Sequence, residues 1–311
     1  MPDAALDPPT VAHLGAILAE AGLSTRSPGE LPTDLGGPRR TYIWVLEDVV
    51  VKLDYRPDRG GVAREKNALS LLAGSDLPVP RLLATGALPD GRPWLVMSRL
   101  EGDPPDDAKR PAHELSESLA RRMGAVVARL HDTAAPPSFG DWTMSPTTLV
   151  ELDRRRSGVL AGMAHDLRVV PAAELEGLLE ALDASRAVLT SVPDTPVLAH
   201  RDVQPRNVLV DSSGRISGLI DFESSAGGDR LEDFRTLGLD WTTPGFVAFC
   251  RAYRSAGGKL DADASNRLAH YTLGWVLAVF AYLAPIVPAY LPVARAAFDR
   301  VMSGERPRLD P

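Results

Sequence analysis

Val197-Leu198-Ala199-His200-Arg201-Asp202-Val203-Gln204-Pro205-Arg206-Asn207-Val208-Leu209-Val210 is the most informative stretch of this chain. It sets the pattern H-R-D-x-x-x-x-N between two runs of apolar β-formers, which places His200, Asp202 and Asn207 around a loop between strands. Asp211-Ser212-Ser213-Gly214-Arg215 then reads as a turn, and Ile216 to Ile220 leads into Asp221-Phe222-Glu223. Two apolar runs about such a turn predict a hairpin. With Val210 opposite Ile216, Asn207 falls opposite Leu219 and Asp221 lies one diagonal step beyond. Side chains alternate along a strand with a period of two, so Asn207 and Asp221 are expected on one face. An amide oxygen beside a carboxylate suits Mg²⁺, a cation that takes oxygen ligands. Asp202, on the loop before Asn207, is near enough to orient an attacking hydroxyl. A metal clamp for phosphates and a carboxylate for the nucleophile's proton are the parts phosphoryl transfer needs. Asx residues also cap turns without doing chemistry, but Ile-Asp-Phe one hairpin away favours the chemical reading.

A second constellation lies upstream. Val49-Val50-Val51-Lys52-Leu53 puts a lysine inside an apolar strand, where an unpartnered ammonium is costly or loses its proton. In the helix that follows, Val62, Glu65, Leu69 and Leu72 share one stripe, so Glu65 faces the sheet. A buried Lys52–Glu65 pair is expected. Such a pair points a lysine at the phosphates of a nucleotide. The bland alternative is a snorkelling lysine and a solvated glutamate.

Outward from these motifs the chain changes character. Thr10 to Ala21 reads as a helix, Thr41 to Leu46 and Val49 to Leu53 as strands, and about Asp58 to Ala73 as a helix. A strand pair spans Leu82 to Met97 around Pro89-Asp90-Gly91. From Glu101 the pattern is mostly helical, with helices expected at Glu114 to Asp132, Thr147 to Gly158, Ala172 to Thr190, Leu231 to Leu239, Pro244 to Gly257 and Asp263 to Ala284. The Pro-rich piece Gly102 to Pro111 reads as a linker between two lobes.

The bulk numbers narrow the field. The 311 residues suit two domains or lobes, and 44% hydrophobic with 24% charged residues is ordinary for a soluble globular protein. A net charge of −7 argues against nucleic acid as a partner. The one cysteine, Cys250, cannot form an intrachain disulfide and reads as a buried apolar side chain in a reducing, cytoplasmic setting. Met1 to Pro9 lacks the basic and apolar regions of a signal peptide. No Asp, Glu, Lys or Arg occurs between Arg267 and Arg295, but Pro285, Pro288 and Pro292 interrupt that stretch. It is expected to be a buried core helix, not a membrane span.

Together these positions resemble the aminoglycoside phosphotransferase/choline kinase family, the small-molecule branch of the protein-kinase-like fold. The matching residues are Lys52, Glu65, Trp94-Leu95-Val96-Met97-Ser98-Arg99-Leu100-Glu101-Gly102, His200-x-Asp202-x₄-Asn207, Ile220-Asp221-Phe222-Glu223 and Gly228-Asp229-x₃-Asp233. The resemblance implies an α+β, bilobal fold: residues 1–98 as a small antiparallel-sheet N-lobe with one inserted helix, and residues 99–311 as a larger, mostly helical C-lobe. It implies that Lys52 holds the nucleotide phosphates and Glu65 fixes Lys52. Met97 would back the adenine pocket, with the Ser98 carbonyl and Leu100 amide on the base edge. Asp202 would be the catalytic base, Asn207 and Asp221 the Mg²⁺ ligands, His200 a brace for the catalytic loop, and Asp233 a support. His131 is read as packing or capping.

Three departures stand out. Arg201 occupies a position where this family usually has glycine. The covering loop Leu35-Gly36-Gly37-Pro38-Arg39-Arg40 is not G-x-G-x-x-G, and Phe222 replaces a frequent tryptophan. Missing room for an activation loop between Asp221 and Gly227 disfavours a protein kinase.

The expected enzyme is therefore a Mg²⁺-dependent kinase that moves the γ-phosphoryl group of ATP or GTP onto a hydroxyl of a small molecule. The acceptor favoured by the resemblance is a cationic antibiotic, an aminoglycoside or basic peptide antibiotic, whose modification confers resistance. From His200 to Asp240 eight acidic side chains stand against five basic ones, which also suits a cationic acceptor. A kinase of an amino alcohol, sugar or amino acid is the alternative, and a catalytically dead nucleotide-binding module a third. The expected form is a cytoplasmic monomer or weak homodimer without nucleic-acid or membrane partners.

Overall fold

The structure, a computed structural model, describes residues 10–23, 41–56, 60–133, 135–141, 147–193 and 195–309. The covering loop at residues 35–40 lies outside the described residues, as does Met1 to Pro9. In chain order the regular elements are α1 (Val11–Glu20), β1 (Thr41–Val45), β2 (Val49–Asp54), α2 (Gly61–Leu71), β3 (Leu82–Ala87), β4 (Pro93–Ser98), α3 (Glu117–Thr133), α4 (Leu149–Leu167), α5 (Ala172–Ser185), β5 (Val197–Ala199), β6 (Val208–Val210), β7 (Ile216–Leu219), β8 (Ala226–Gly228), α6 (Pro244–Ser255), α7 (Ala264–Ala278) and α8 (Tyr290–Met302). Two compact units result: Met1–Asp103 with Val208–Ser225, and Pro104–Asn207 with Ala226–Pro311. This division is drawn differently from one cut after residue 98, because the β6–β7 hairpin and the turn beyond it count with the first unit.

The first unit is built on a four-stranded antiparallel sheet in the order β1-β2-β4-β3. The period of two sorts β2 into two faces. Val49, Val51 and Leu53 join Tyr42, Trp44, Trp94 and Val96 in a core closed by Leu14, Ile17 and Leu18 of α1. Each such side chain taken out of water contributes on the order of 1.5–3 kcal/mol. Lys52 and Asp54 point to the other face, where α2 lies.

Asp54 sets where α2 begins. The Val62 amide donates to both Asp54 oxygens at 3.2 Å, satisfying a donor that the first turn of a helix leaves without an intrahelical partner. A Cβ at Gly61 would come 3.0 Å from Asp54 Oδ1 and 3.2 Å from Glu223 Oε2, so a larger residue would make those carboxylates give way by a few tenths of an ångström. Burial raises the Asp54 carboxyl from 3.8 to about 6, against the Val62 hydrogen bond that lowers it.

The β6–β7 hairpin forms as expected, but its register differs. Val210 pairs with Ile216 as expected, yet Leu209 pairs with Gly218 and Val208 with Leu219. Val208, and not Asn207, therefore stands opposite Leu219. The cause is a bulge at Ser217, an extra residue that shifts every pair beyond it by one. The Ser217 hydroxyl donates to the Glu101 carbonyl at 2.7 Å, while Asp103 and Val210 exchange backbone bonds at 3.0 and 2.9 Å.

In the second unit β5 pairs with β8, a strand not foreseen because Ala226-Gly227-Gly228 carries no β-former. Leu231 to Leu239 was expected to be one helix and instead forms two 3₁₀ turns, Arg230–Asp233 and Leu237–Asp240. Leu231, Glu232, Asp233 and Phe234 are all buried in succession, a pattern no single helical face can satisfy. α4 runs on past Gly158 to Leu167 and stops at Arg168 in a left-handed conformation. α7 is buried on nearly every side and passes into a π-type turn, Val279–Leu283. Among the described residues no helix is long and apolar enough to cross a membrane. Cys250 is buried in α6, and burial pushes its thiol up to about 12.

At Gly124 the backbones of α3 and α6 come close together. A Cβ there would meet the Phe249 carbonyl oxygen at 2.4 Å and the Tyr253 nitrogen at 3.0 Å. Both are backbone atoms, so the helices must move apart. Gly124→Ala is expected to cost about 1–3 kcal/mol, read as a lower denaturation midpoint; an unchanged midpoint would refute the tight contact.

Asp54 gives a pH-dependent test. A carboxyl whose folded pKa is raised binds more protons folded than unfolded, so stability falls as pH rises from about 4 through about 6. Asp54→Asn keeps an oxygen for the Val62 amide and removes that penalty. The variant should gain stability over the parent above about pH 6 and gain least near pH 4. Denaturant titrations across this range check it, and a stability difference that does not vary with pH contradicts it.

Candidate active site

Lys52 is the centre of the first unit's polar cluster. Its Nζ lies 2.7 Å from Glu65 Oε2, 2.8 Å from Asp221 Oδ1 and 3.3 Å from Glu223 Oε1. The alternation of β2 aims Lys52 at α2, and the stripe of α2 returns Glu65, which is fully buried. The second Glu65 oxygen accepts the Phe222 amide at 3.3 Å, so one side chain orients both the lysine and the backbone after Asp221. Asp221 holds a left-handed backbone at φ 69°. Arg64 of α2 donates to the Glu223 carbonyl at 2.6 Å, tying that segment to the helix a second time.

The charges are coupled. Burial alone would strip Lys52 of its proton, but Glu65, Asp221 and Glu223 together hold it well above its ordinary value. Glu65 is also raised, first by burial and then by the charges of Asp221 and Glu223, with Lys52 opposing. The Lys52 shift goes upward because three acids share one base, and the Glu65 shift because burial outweighs the ammonium.

Among the described residues, one group of carboxylates could hold a metal ion. Glu65, Asp221 and Glu223 bring carboxylate oxygens within 4.8 Å of one another, and one ammonium against three carboxylates leaves two negative charges when all are ionised. That excess suits a divalent cation. The Asp221 side chain is 39% exposed, against 0% for Glu65 and 16% for Glu223. Asp221 can therefore offer oxygen outward, while Glu65 is spent on Lys52 and Phe222.

The end of β4 carries the other residues singled out in the sequence. Met97 is buried and, two residues beyond Leu95, lies on the same face of the sheet as Lys52. The Ser98 amide donates to the Arg81 carbonyl at 2.9 Å, its hydroxyl accepts the Arg81 amide at 2.9 Å, and the Arg99 amide turns to the Asp48 carbonyl at 2.9 Å. Leu100 then continues past the sheet, and its amide donates to no group among the described residues.

The H-R-D loop belongs to the second unit. Asp202 Oδ2 accepts the Asn207 amide at 2.8 Å and Arg206 at 3.3 Å, and its Oδ1 accepts Gln204. Asn207 Nδ2 also donates to the Asp202 carbonyl at 2.8 Å. Its side-chain oxygen accepts nothing among the described residues, which leaves it able to ligate a cation. The Asp202 amide donates to His200 Nδ1 at 3.3 Å.

Buried Asp233 anchors this loop. Its carboxylate accepts the His200 amide at 2.9 Å, the Arg201 amide, and His131 Nε2 at 2.9 Å. His131 Nδ1 in turn meets the Tyr253 hydroxyl at 2.8 Å. Burial would raise the Asp233 pKa, but the His131 hydrogen bond and charge, with His200 and the Arg201 amide, hold it below the ordinary range.

The first unit thus gathers Lys52, Glu65 and Asp221, with Met97, Ser98 and Leu100 along β4 and just past it; the second gathers Asp202 and Asn207. Sequence reasoning gave no role to Glu223, although its place two residues past Asp221 was a usable signal. It also missed Asp54 and the partners of Arg201. Arg201 sits at φ 65° with its Nε 3.0 Å from Glu232, a separation of an ion pair although not aligned as a hydrogen bond.

Residues 37–271 match the family model described as the phosphotransferase enzyme family, APH. Viomycin phosphotransferase of Streptomyces vinaceus is 28% identical over 184 residues, which is 56% of this chain and 61% of that relative's length. The fold is shared with the GDP and kanamycin complex of APH(2")-IIia, at a TM-score of 0.65 and 17% identity over 95% of this chain and 99% of that one. A thermostable mutant of aminoglycoside phosphotransferase APH(4)-Ia, with ADP and hygromycin B, gives 0.65 and 18% over 92% and 96%. Macrolide 2'-phosphotransferase MphH from Brachybacterium faecium gives 0.55 and 22% over 91% and 97%. These likenesses establish an α+β, protein-kinase-like fold, and the match over residues 37–271 establishes descent: the chain belongs to the phosphotransferase enzyme family.

Proposed function

We propose that the protein is an O-phosphotransferase that moves the γ-phosphoryl group of ATP or GTP onto a hydroxyl of a small molecule, with an antibiotic as acceptor. The observation that supports the reaction most is Lys52 in hydrogen-bond contact with both Glu65 and Asp221, at 2.7 and 2.8 Å. That arrangement keeps an ammonium charged in a buried place and directs it, as a phosphate-binding lysine requires. The nucleotide donor is supported by the GDP and ADP bound in the two related structures.

Each residue has a part. Asp202 accepts the proton of the acceptor hydroxyl as its oxygen bonds to the γ-phosphorus and the bridge to the β-phosphate breaks, which releases a nucleoside diphosphate. Arg206 and the amides of Gln204 and Asn207 hold the Asp202 carboxylate for that proton. Lys52 holds phosphate oxygens, and Glu65 keeps it in place. Mg²⁺, held by Asn207 and Asp221, would neutralise charge on the phosphate oxygens. The Ser98 carbonyl and Leu100 amide offer a backbone edge to the base.

The acceptor reading rests on relatives. Viomycin phosphotransferase is one relative, and two related structures hold kanamycin and hygromycin B. The acidic balance gives it no support, because most of those carboxylates have internal partners. Glu232 lies against Arg156 and Arg201, Asp229 against Arg267, and Asp240 against Arg300.

The test is purified protein with Mg-ATP or Mg-GTP against aminoglycosides, basic peptide antibiotics, macrolides, amino alcohols, sugars and amino acids. A mass gain of one phosphoryl group is expected on an antibiotic. A gain on a metabolite alone would overturn the antibiotic acceptor, and no nucleotide turnover with any compound would overturn the kinase. Asp202→Asn should lower kcat by about 10²–10⁴-fold with nucleotide affinity retained.

A further inference from the structure

Arg201 precedes the aspartate assigned to proton abstraction, and its backbone is left-handed at φ 65°, a region that non-glycine residues avoid. On backbone grounds alone glycine would be the better residue here. Three groups of the second unit hold this one. The Arg201 amide donates to Asp233, its carbonyl accepts Arg235 Nη2 at 2.8 Å, and its side chain reaches Glu232 at 3.0 Å. Glu232 is 2% exposed and also accepts Arg156 Nη1 of α4 at 2.9 Å. Burial opposes its charge, but Arg201, Arg156 and Arg235 outweigh burial and keep it ionised.

We propose that Glu232 is a positioning residue that acts through Arg201, fixing the backbone from which Asp202 projects and tying it to Arg156 on α4. The Arg201 side chain is thus a functional strut between α4 and the loop that carries Asp202, and it offsets the strain of its own backbone. This inference deepens the phosphotransferase reading and rests on its assignment of Asp202. A shift in α4 would reach Asp202 through two ion pairs and one residue of backbone.

The sign of one substitution separates the two views of Arg201. Arg201→Gly leaves Glu232 paired with Arg156, so no buried charge is stranded. If the strut holds the loop, Arg201→Gly lowers kcat roughly tenfold to a hundredfold, leaves nucleotide KM unchanged, and speeds amide hydrogen exchange at residues 201–203. Arg201→Lys recovers part of the loss, and Glu232→Gln in the Arg201→Gly background lowers kcat no further. Arg201→Gly with parental kcat and parental exchange overturns the proposal, as does an undiminished effect of Glu232→Gln in that background. Should Glu232→Gln fail to fold, the comparison of Arg201→Gly with Arg201→Lys decides. A parent protein without nucleotide turnover would sink the phosphotransferase reading, while exchange at residues 201–203 would still decide whether Arg201 holds the loop.

Discussion

One ammonium shared by three carboxylates governs the first unit. Lys52 sits in a strand whose opposite face is a solid apolar core, so the ammonium has no route to water along the sheet. A buried charge of this kind persists only with partners at close range. Glu65 comes from α2, while Asp221 and Glu223 come from the segment after β7, so the lysine ties three elements together. Asp54, the tight approach at Gly61 and the Arg64 bond to the Glu223 carbonyl then fix α2 at the distance this contact needs.

The second unit solves a related problem with the sign of the excess reversed. Its H-R-D loop offers backbone amides, and buried Asp233 collects two of them along with His131. Beside it Glu232 meets two guanidinium groups. The two neighbours in sequence therefore serve different ends: Asp233 satisfies donors of the loop backbone, and Glu232 balances side-chain charge. Their consecutive burial also explains why the chain here makes 3₁₀ turns, since a helix would turn one of them away.

Most of this was legible where a residue type conflicts with its surroundings. A lysine among valines and a glutamate on an apolar stripe each demand a partner, and the simplest partner was the other. The H-R-D loop and the hairpin were likewise readable, because turn residues and β-formers alternate cleanly there. The register was not, because the bulge at Ser217 leaves no mark in the local pattern, and the Ser217 hydroxyl finds its partner at the Glu101 carbonyl, far away in sequence. β8 escaped because Gly227-Gly228 is defined by what lies against it and not by its own preference. The acidic excess around residues 200–240 misled for the same reason: sequence counts charges but does not show which are already answered.

The buried cysteine has a practical consequence. With its thiol enclosed in α6 and pushed up to about 12, Cys250 keeps almost no thiolate at neutral pH. The native background is thus nearly silent to maleimides and other electrophiles without removing a single residue. Any cysteine introduced on an exposed surface would carry a spectroscopic label alone, which makes the unaltered chain a ready host for distance measurements between chosen positions.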